Sequence, residues 1–288
     1  MALTTRQRVL LRFLSKQANY EIGRTTLMKW LFLYSQAQVT SVSRYDFVPY
    51  KYGPFSFEAF RDMQYTLARF IELGEDSVQL RRDCVAEAME QGLRIPKREC
   101  QTVEEIWLNY HHLNQEALLD FVYSKFPWYA SRSERVKSSL DLPIAKPAVY
   151  SVGYEGRSID AFFTLLLSSG IQEILDVRRN AYSHKYGFLS HSLTRISSQL
   201  HIVYTHIPEL GIASEFRKDL DEPGAHKRLF DQYDEDLKSK PDFLENAARI
   251  LRLRSTALLC FEAEPHLCHR SRLAVHLSAM TGLPISHL

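Results

Sequence analysis

From residue 148 onward the chain alternates short apolar runs with amphipathic segments, and no other feature constrains its fold as tightly. AVYSVGY, IQEILDVR, IVYTHI, TALLCFE and PISHL have the length and apolar content of buried strands. IDAFFTLLLSSG, SLTRISSQL, FLENAARILRL and RSRLAVHLSAMTG carry apolar residues at helical spacing instead. A strand followed by a helix pairs in parallel with a later strand, because the helix is what carries the chain back to the starting edge of the sheet. The expected architecture is therefore α/β: a Rossmann-like three-layer domain built on a mainly parallel sheet.

Pro143 and Pro147, in LDLPIAKPAVY, separate this region from a mostly helical one and set the expected boundary near residue 146, giving domains 1–146 and 147–288. With 288 residues, 45% of them apolar, the chain is long enough for two cores. Helices are expected over 5–17, 25–38, 56–73, 103–123 and 130–140, with Gly53-Pro54 breaking the chain before the third and Ser56 available to cap it. In the second, Leu27, Trp30, Leu31 and Tyr34 follow the i, i+3, i+4, i+7 pattern and should be buried, leaving Arg24 and Lys29 outside.

Composition excludes several classes. No window approaches the roughly 18 apolar residues of a membrane span, and MALTTRQRVLLRFLSKQ interleaves basic with apolar residues, unlike a signal peptide. A cytoplasmic protein with no membrane partner is expected. Cys84, Cys100, Cys260 and Cys268 lack C-x-x-C spacing, so reduced thiols are the default. Residues 1–60 hold eight basic side chains against three acidic ones, an excess that permits contact with nucleic acid.

In open α/β sheets ligands bind beyond the carboxyl ends of the strands. There the sequence places Tyr154, Glu155 and Arg157 after the first strand, and Asp176, Arg178, Arg179 and Tyr182 after the second. Glu209 follows the third, and Glu262, Cys268, His269 and Arg270 follow the fourth. GYEGRSIDAF, ILDVRRNAYSHKYGF, HIPELG and LLCFEAEPHLCHRSRLA, in this order, resemble domain-of-unknown-function family 488 over roughly residues 148–288. That resemblance implies a compact α/β domain and a link to nucleic-acid modification or phage-conflict systems. It implies no settled reaction. MKWLFLYSQ and YDFVPYKYGPFSFEAFRDMQYTL are similar to the antitoxin-like Panacea families, which implies that the helical domain is an interaction module with a protein partner.

Chemically, Arg157, Arg178, Arg179 and Arg270 are candidate donors to phosphate, with Arg270 near the amino end of the last long helix. The alternative for any one of them is an ion pair with Asp176 or Glu262. Tyr154 and Tyr182, with Tyr186 and Phe188, are candidate platforms for a base. Glu155, Asp176, Glu262 and His269 are the candidate catalytic groups, since two positioned carboxylates suffice for acid and base work at a glycosidic centre. Glu209 and Cys268 complete the candidate contacts. The expected function is thus an enzyme acting on a nucleotide or nucleic-acid base by N-glycosidase-like chemistry.

The alternatives are a non-catalytic nucleotide sensor and a transfer enzyme using Cys268 as nucleophile. GYEGRS lacks the G-x-G-x-x-G of a dinucleotide loop, and no cofactor is expected. Cys260, His266, Cys268 and His269 are zinc-ligand types, but the adjacency of Cys268 and His269 is awkward for one ion, and no metal is assigned. Magnesium on Glu155, Asp176 and Glu262 stays open.

Overall fold

The computed structural model describes residues 2–37, 44–136, 142–213, 216 and 224–288. The chain forms two compact units, Met1–Asp141 and Leu142–Leu288, each taken by itself below. No helix of the described residues is long and apolar enough to cross a membrane.

The first unit contains α1 (Thr5–Ser15), β1 (Glu21–Gly23), α2 (Arg24–Ala37), β2 (Val48–Tyr50), β3 (Gly53–Phe55) and α3 (Phe57–Arg61). β4 (Ile71–Leu73), β5 (Ser77–Leu80), α4 (Val85–Leu93), α5 (Lys97–Tyr110) and α6 (Gln115–Lys125) follow. It is mostly helical, but it also holds an antiparallel sheet in the order β1-β5-β4 and the hairpin β2-β3, neither of which the sequence announced.

The expected helix over 56–73 is shorter. Ser56 does cap α3, its Oγ accepting from Ala59 N at 3.1 Å, but a π-helical turn at Asp62–Thr66 ends the regular helix and the chain becomes β4. The expected helix over 103–123 is two helices, because Asn114 starts α6 afresh by accepting from Ala117 N at 2.8 Å. Over 130–140 the described residues form the end of a 3-10 turn, Pro127–Ala130, and further turns; 137–140 and residue 38 lie outside the described residues.

α2 buries Leu27, Trp30, Leu31 and Tyr34 as expected, but not only those. Every residue from Leu27 to Ser35 is buried, as in a helix surrounded by packing. Lys29 is therefore inside rather than outside, 2% exposed, its Nζ donating to Pro54 O at 2.9 Å. Burial lowers its ammonium from 10.5 to about 7.

The second unit contains β6 (Val149–Gly153), α7 (Ile159–Ser168), β7 (Glu173–Asp176), α8 (Ser190–Gln199), β8 (Val203–His206) and α9 (Ala225–Lys238). α10 (Pro241–Leu253), β9 (Thr256–Cys260), α11 (His269–Thr281) and β10 (Ile285–His287) complete it. The five strands are all parallel, in the order β10-β6-β9-β7-β8. α9 was not read from the sequence; its few apolar residues, Leu229, Phe230, Tyr233 and Leu237, are nonetheless buried.

The strand order fixes where the helices go. From β6 the chain moves to β7 and then β8, whereas from β8 it returns to β9 and then crosses to β10. Right-handed crossovers then put α7 and α8 on one face and α9, α10 and α11 on the other. The second face is sealed by one apolar cluster in which Val149, Leu175 and Leu258 of the sheet meet Leu229, Leu244, Ala247 and Leu273 of the helices. β6 and β9 are neighbours whose chains leave toward opposite faces, which makes their carboxyl ends the switch point of the sheet, where a ligand crevice is expected.

Candidate functional site

The crevice is a pocket of about 270 Å³, lined by Tyr154, Arg178, Arg179, Asn180, Tyr182, Ile212, Cys260 and Phe261. Its walls come from the ends of β6, β7 and β9 and the loop after β8. Two glycines hold these loops together by leaving room for another backbone. A Cβ on Gly153 would collide with the Glu262 carbonyl, and one on Gly211 with the Arg179 backbone nitrogen. Glu155 N donates to Phe261 O at 2.9 Å, and Glu155 Oε2 accepts from Ala263 N at 2.9 Å, joining the same two strand-end loops.

Beneath one wall lies a closed polar cluster. Arg178 Nη2 meets Asp176 Oδ2 at 2.6 Å and its Nε meets Oδ1 at 2.9 Å, while Nη1 donates to Tyr154 Oη at 3.1 Å and Phe188 O at 3.0 Å. Tyr204 Oη adds a bond to Asp176 at 2.8 Å, and the Arg178 backbone N–H adds one at 3.1 Å. Burial works against the Arg178 charge, but the bonds and charge of Asp176 outweigh it and raise its pKa. Burial, followed by the Asp176 charge, raises Tyr204 as well. Asp176 is thereby a fully buried anchor for this loop, not a group facing a substrate, and Arg178 offers the pocket a guanidinium already paired.

Several further expectations change. Arg270 is not an exposed anion ligand: it is wholly buried, with Nη1 donating to Glu262 O at 2.5 Å, Nη2 to Ala263 O at 2.8 Å and Nε to Ser151 Oγ at 3.3 Å. It holds the β9–α11 turn by its carbonyls. Cys268 is 1% exposed, and burial first, then its bond to Cys260, pushes its thiol well above the ordinary range. That environment removes the exposed thiolate a transfer enzyme needs.

Tyr154 is buried, with its ring stacked on Phe188 at 4.2 Å, so one face is already covered. Glu155 is exposed and Arg157 half-buried, and neither lines the pocket. Glu209 sits on the 3-10 turn Pro208–Leu210, also away from the lining, where its carbonyl accepts from Lys240 Nζ at 2.7 Å.

What remains open to a ligand is a smaller set. Arg179 is exposed, bonded weakly to Pro208 O at 3.5 Å, and lies beside Asn180. Tyr182 is 62% exposed and Phe261 43%. Phe261, Asn180 and Ile212 were not among the candidates. An apolar residue just past a buried strand, such as Phe261, is a signal that could have found the first of them.

Glu262 is half-buried, its Oε2 accepting from Cys260 Sγ at 3.3 Å. His269 is buried, its Nε2 donating to Val177 O at 3.1 Å and its ring edge-on to Tyr233 at 5.3 Å. Glu155, Asp176 and Glu262 do not converge on a single point for magnesium. Among the described residues, the His, Cys, Asp and Glu donors that do converge are those of Cys260, Cys268 and His269.

Fold and site together define an open, doubly wound α/β domain with a strand-edge pocket of mixed aromatic and cationic lining. Residues 158–277 of this chain match the family model described as Domain of unknown function DUF488, so the C-terminal resemblance rests on a family match and not on the motifs alone. The match does not extend to the N-terminal unit. No curated protein and no solved structure matches the chain.

Proposed function

We propose that the C-terminal unit binds a nucleobase-bearing ligand in the strand-edge pocket, and that it is an enzyme acting at the bond between base and sugar. One observation supports the binding reading above the others: the pocket sets exposed rings, Tyr182 and Phe261, against the one lining arginine not already held by an ion pair, Arg179. Rings stack on any base, and a guanidinium with Asn180 beside it suits a phosphate or a polar base edge. At about 270 Å³ the pocket suits a single base with its sugar.

The catalytic half of the proposal is narrower than the sequence suggested. With Asp176 committed to Arg178 and Glu155 exposed, Glu262 is the carboxylate adjoining the lining, through Cys260. It is the acid-base candidate. The direct test is a panel of bases, nucleosides and nucleotides, scored on the full chain by thermal shift and by product mass. Arg179→Ala should weaken nucleotide binding by about 1.5 kcal/mol, roughly tenfold, and erase any preference for nucleotide over nucleoside. Glu262→Gln should retain binding and lose product. A panel in which nothing binds, or an Arg179→Ala protein with unaltered preference, would sink the reading. Binding without product in the wild type would leave the sensor alternative in its place.

A further inference from the structure

The three donors that converge behind the pocket form a more specific arrangement than their sequence spacing suggested. Cys268 is the extended residue before α11, at φ −128° and ψ 139°, and His269 is the first residue of the helix. The change of backbone direction between them lets neighbouring side chains turn toward one point, which removes the objection from adjacency. Cys260 comes to the same point from the end of β9. His269 Nδ1 lies 3.6 Å from Cys260 Sγ and 3.9 Å from Cys268 Sγ, and the three donor atoms all lie within 4.8 Å of one another.

These separations are those of ligands around a single zinc ion. Zinc–sulfur bonds of about 2.3 Å and zinc–nitrogen bonds of about 2.0 Å at a tetrahedral angle put sulfur and nitrogen roughly 3.6 Å apart. The orientation of His269 fits as well. Its Nε2 donates to the Val177 carbonyl at 3.1 Å, so the ring proton sits there and the lone pair of Nδ1 is directed at the two sulfurs. Metal-bound imidazoles are held by such an outer hydrogen bond to a carbonyl or carboxylate. His266, the other imidazole of the turn, is exposed beside Glu264 and takes no part.

We infer that Cys260, Cys268 and His269 form a Cys2His site for zinc or a similarly thiophilic divalent cation. Glu262 is not one of the converging donors; its Oε2 contacts Cys260 Sγ at 3.3 Å, and a water would complete the tetrahedron. On binding, each thiol loses its proton to solvent and the ion takes two thiolates and a neutral imidazole, so charge balances without an oxidant or reductant. The site shares Cys260 with the pocket lining, but its ligand set does not depend on which ligand the pocket takes. A soft, buried pair of sulfurs selects against magnesium and calcium.

Purified full-length protein, stripped with chelator and titrated with zinc or cobalt, provides the test. Zinc should bind at about one equivalent per chain, and cobalt should give thiolate-to-metal charge-transfer absorption with the visible bands of a tetrahedral ion. Cys260→Ser, Cys268→Ser and His269→Gln should each weaken cobalt binding at least 100-fold, whereas the double variant Cys84→Ser/Cys100→Ser should bind like wild type. Should the serine variants fail to fold, the wild type still decides, because zinc must slow alkylation of Cys260 and Cys268 without protecting Cys84 and Cys100. A chain that binds no zinc or cobalt, or binds it undiminished without Cys268, overturns the site.

Discussion

Among the described residues, two guanidiniums lie buried in the second unit, and they are held differently. Arg178, after β7, is neutralised by a carboxylate two residues earlier; Arg270, opening α11, meets two carbonyl oxygens and a hydroxyl at the distances given, none of them charged. The first is an ion pair that fixes a loop and is electrically satisfied. The second braces a turn while keeping its positive charge inside the protein, close enough that it, after burial, helps to lower the His287 pKa. Sequence alone presents both as candidate anion ligands. Burial assigns both to architecture and leaves Arg179, one residue from Arg178, as the arginine open to solvent.

The sharpest break of this comparison is Asp176→Ala. It strands the Arg178 charge in the interior and should destabilise the full chain by about 3–5 kcal/mol in urea unfolding. Replacing both partners at once, with Asp176→Leu and Arg178→Met, should recover much of that loss; a double variant as unstable as the single one would show that the pair is not the source.

Arg270→Met comes next. It removes the charge and leaves the Glu262 and Ala263 carbonyls without their donor, at a cost of about 2–3 kcal/mol. If its cost equals or exceeds that of Asp176→Ala, the distinction between a paired and an unpaired guanidinium fails.

A third buried cation, Lys29 of α2, extends the contrast to the other unit and to pH. Its folded pKa of about 7 lies below its usual 10.5, so between those values the unfolded chain binds a proton that the folded chain does not. Stability from this group is therefore lowest below about pH 7 and rises as the pH approaches 10.5. Lys29→Met should flatten that rise in a pH series of unfolding curves, and an identical slope in both proteins would remove Lys29 as its cause.

The smallest effect on stability belongs to Arg179→Ala. Exposed and weakly bonded, it should cost less than about 0.5 kcal/mol, while the ligand assay registers the roughly tenfold loss given above. A large loss of stability would mean that Arg179 too is architectural.

These cases mark how far the sequence could be read. Alternating apolar runs and helices were enough for the α/β fold, because parallel pairing follows from the connections themselves. The π-helical turn at Asp62–Thr66 and the three- and four-residue strands of the first unit were not legible. Elements that short have no period to detect, and their pairing depends on partners distant in the chain. At the site, positions were legible and partners were not. Asp-Val-Arg at the end of β7 did carry a clue, since residues two apart in extended chain share a face, which directs Arg178 to Asp176 and Arg179 away. Nothing comparable in CHRSR indicates that Arg270 turns inward to carbonyls eight and seven residues earlier.

The two glycine contacts have a consequence for how the pocket tolerates sequence change. At Gly153 and Gly211 main chain rests directly on main chain, with no side chain between to act as a spacer or a hinge. A side chain at either position would drive the paired loops apart. The rings and cations on their outer surface, in contrast, can be exchanged without disturbing the frame. The two glycines thus carry the frame, and the pocket keeps its shape while its exposed side chains change, provided those two positions never acquire a Cβ.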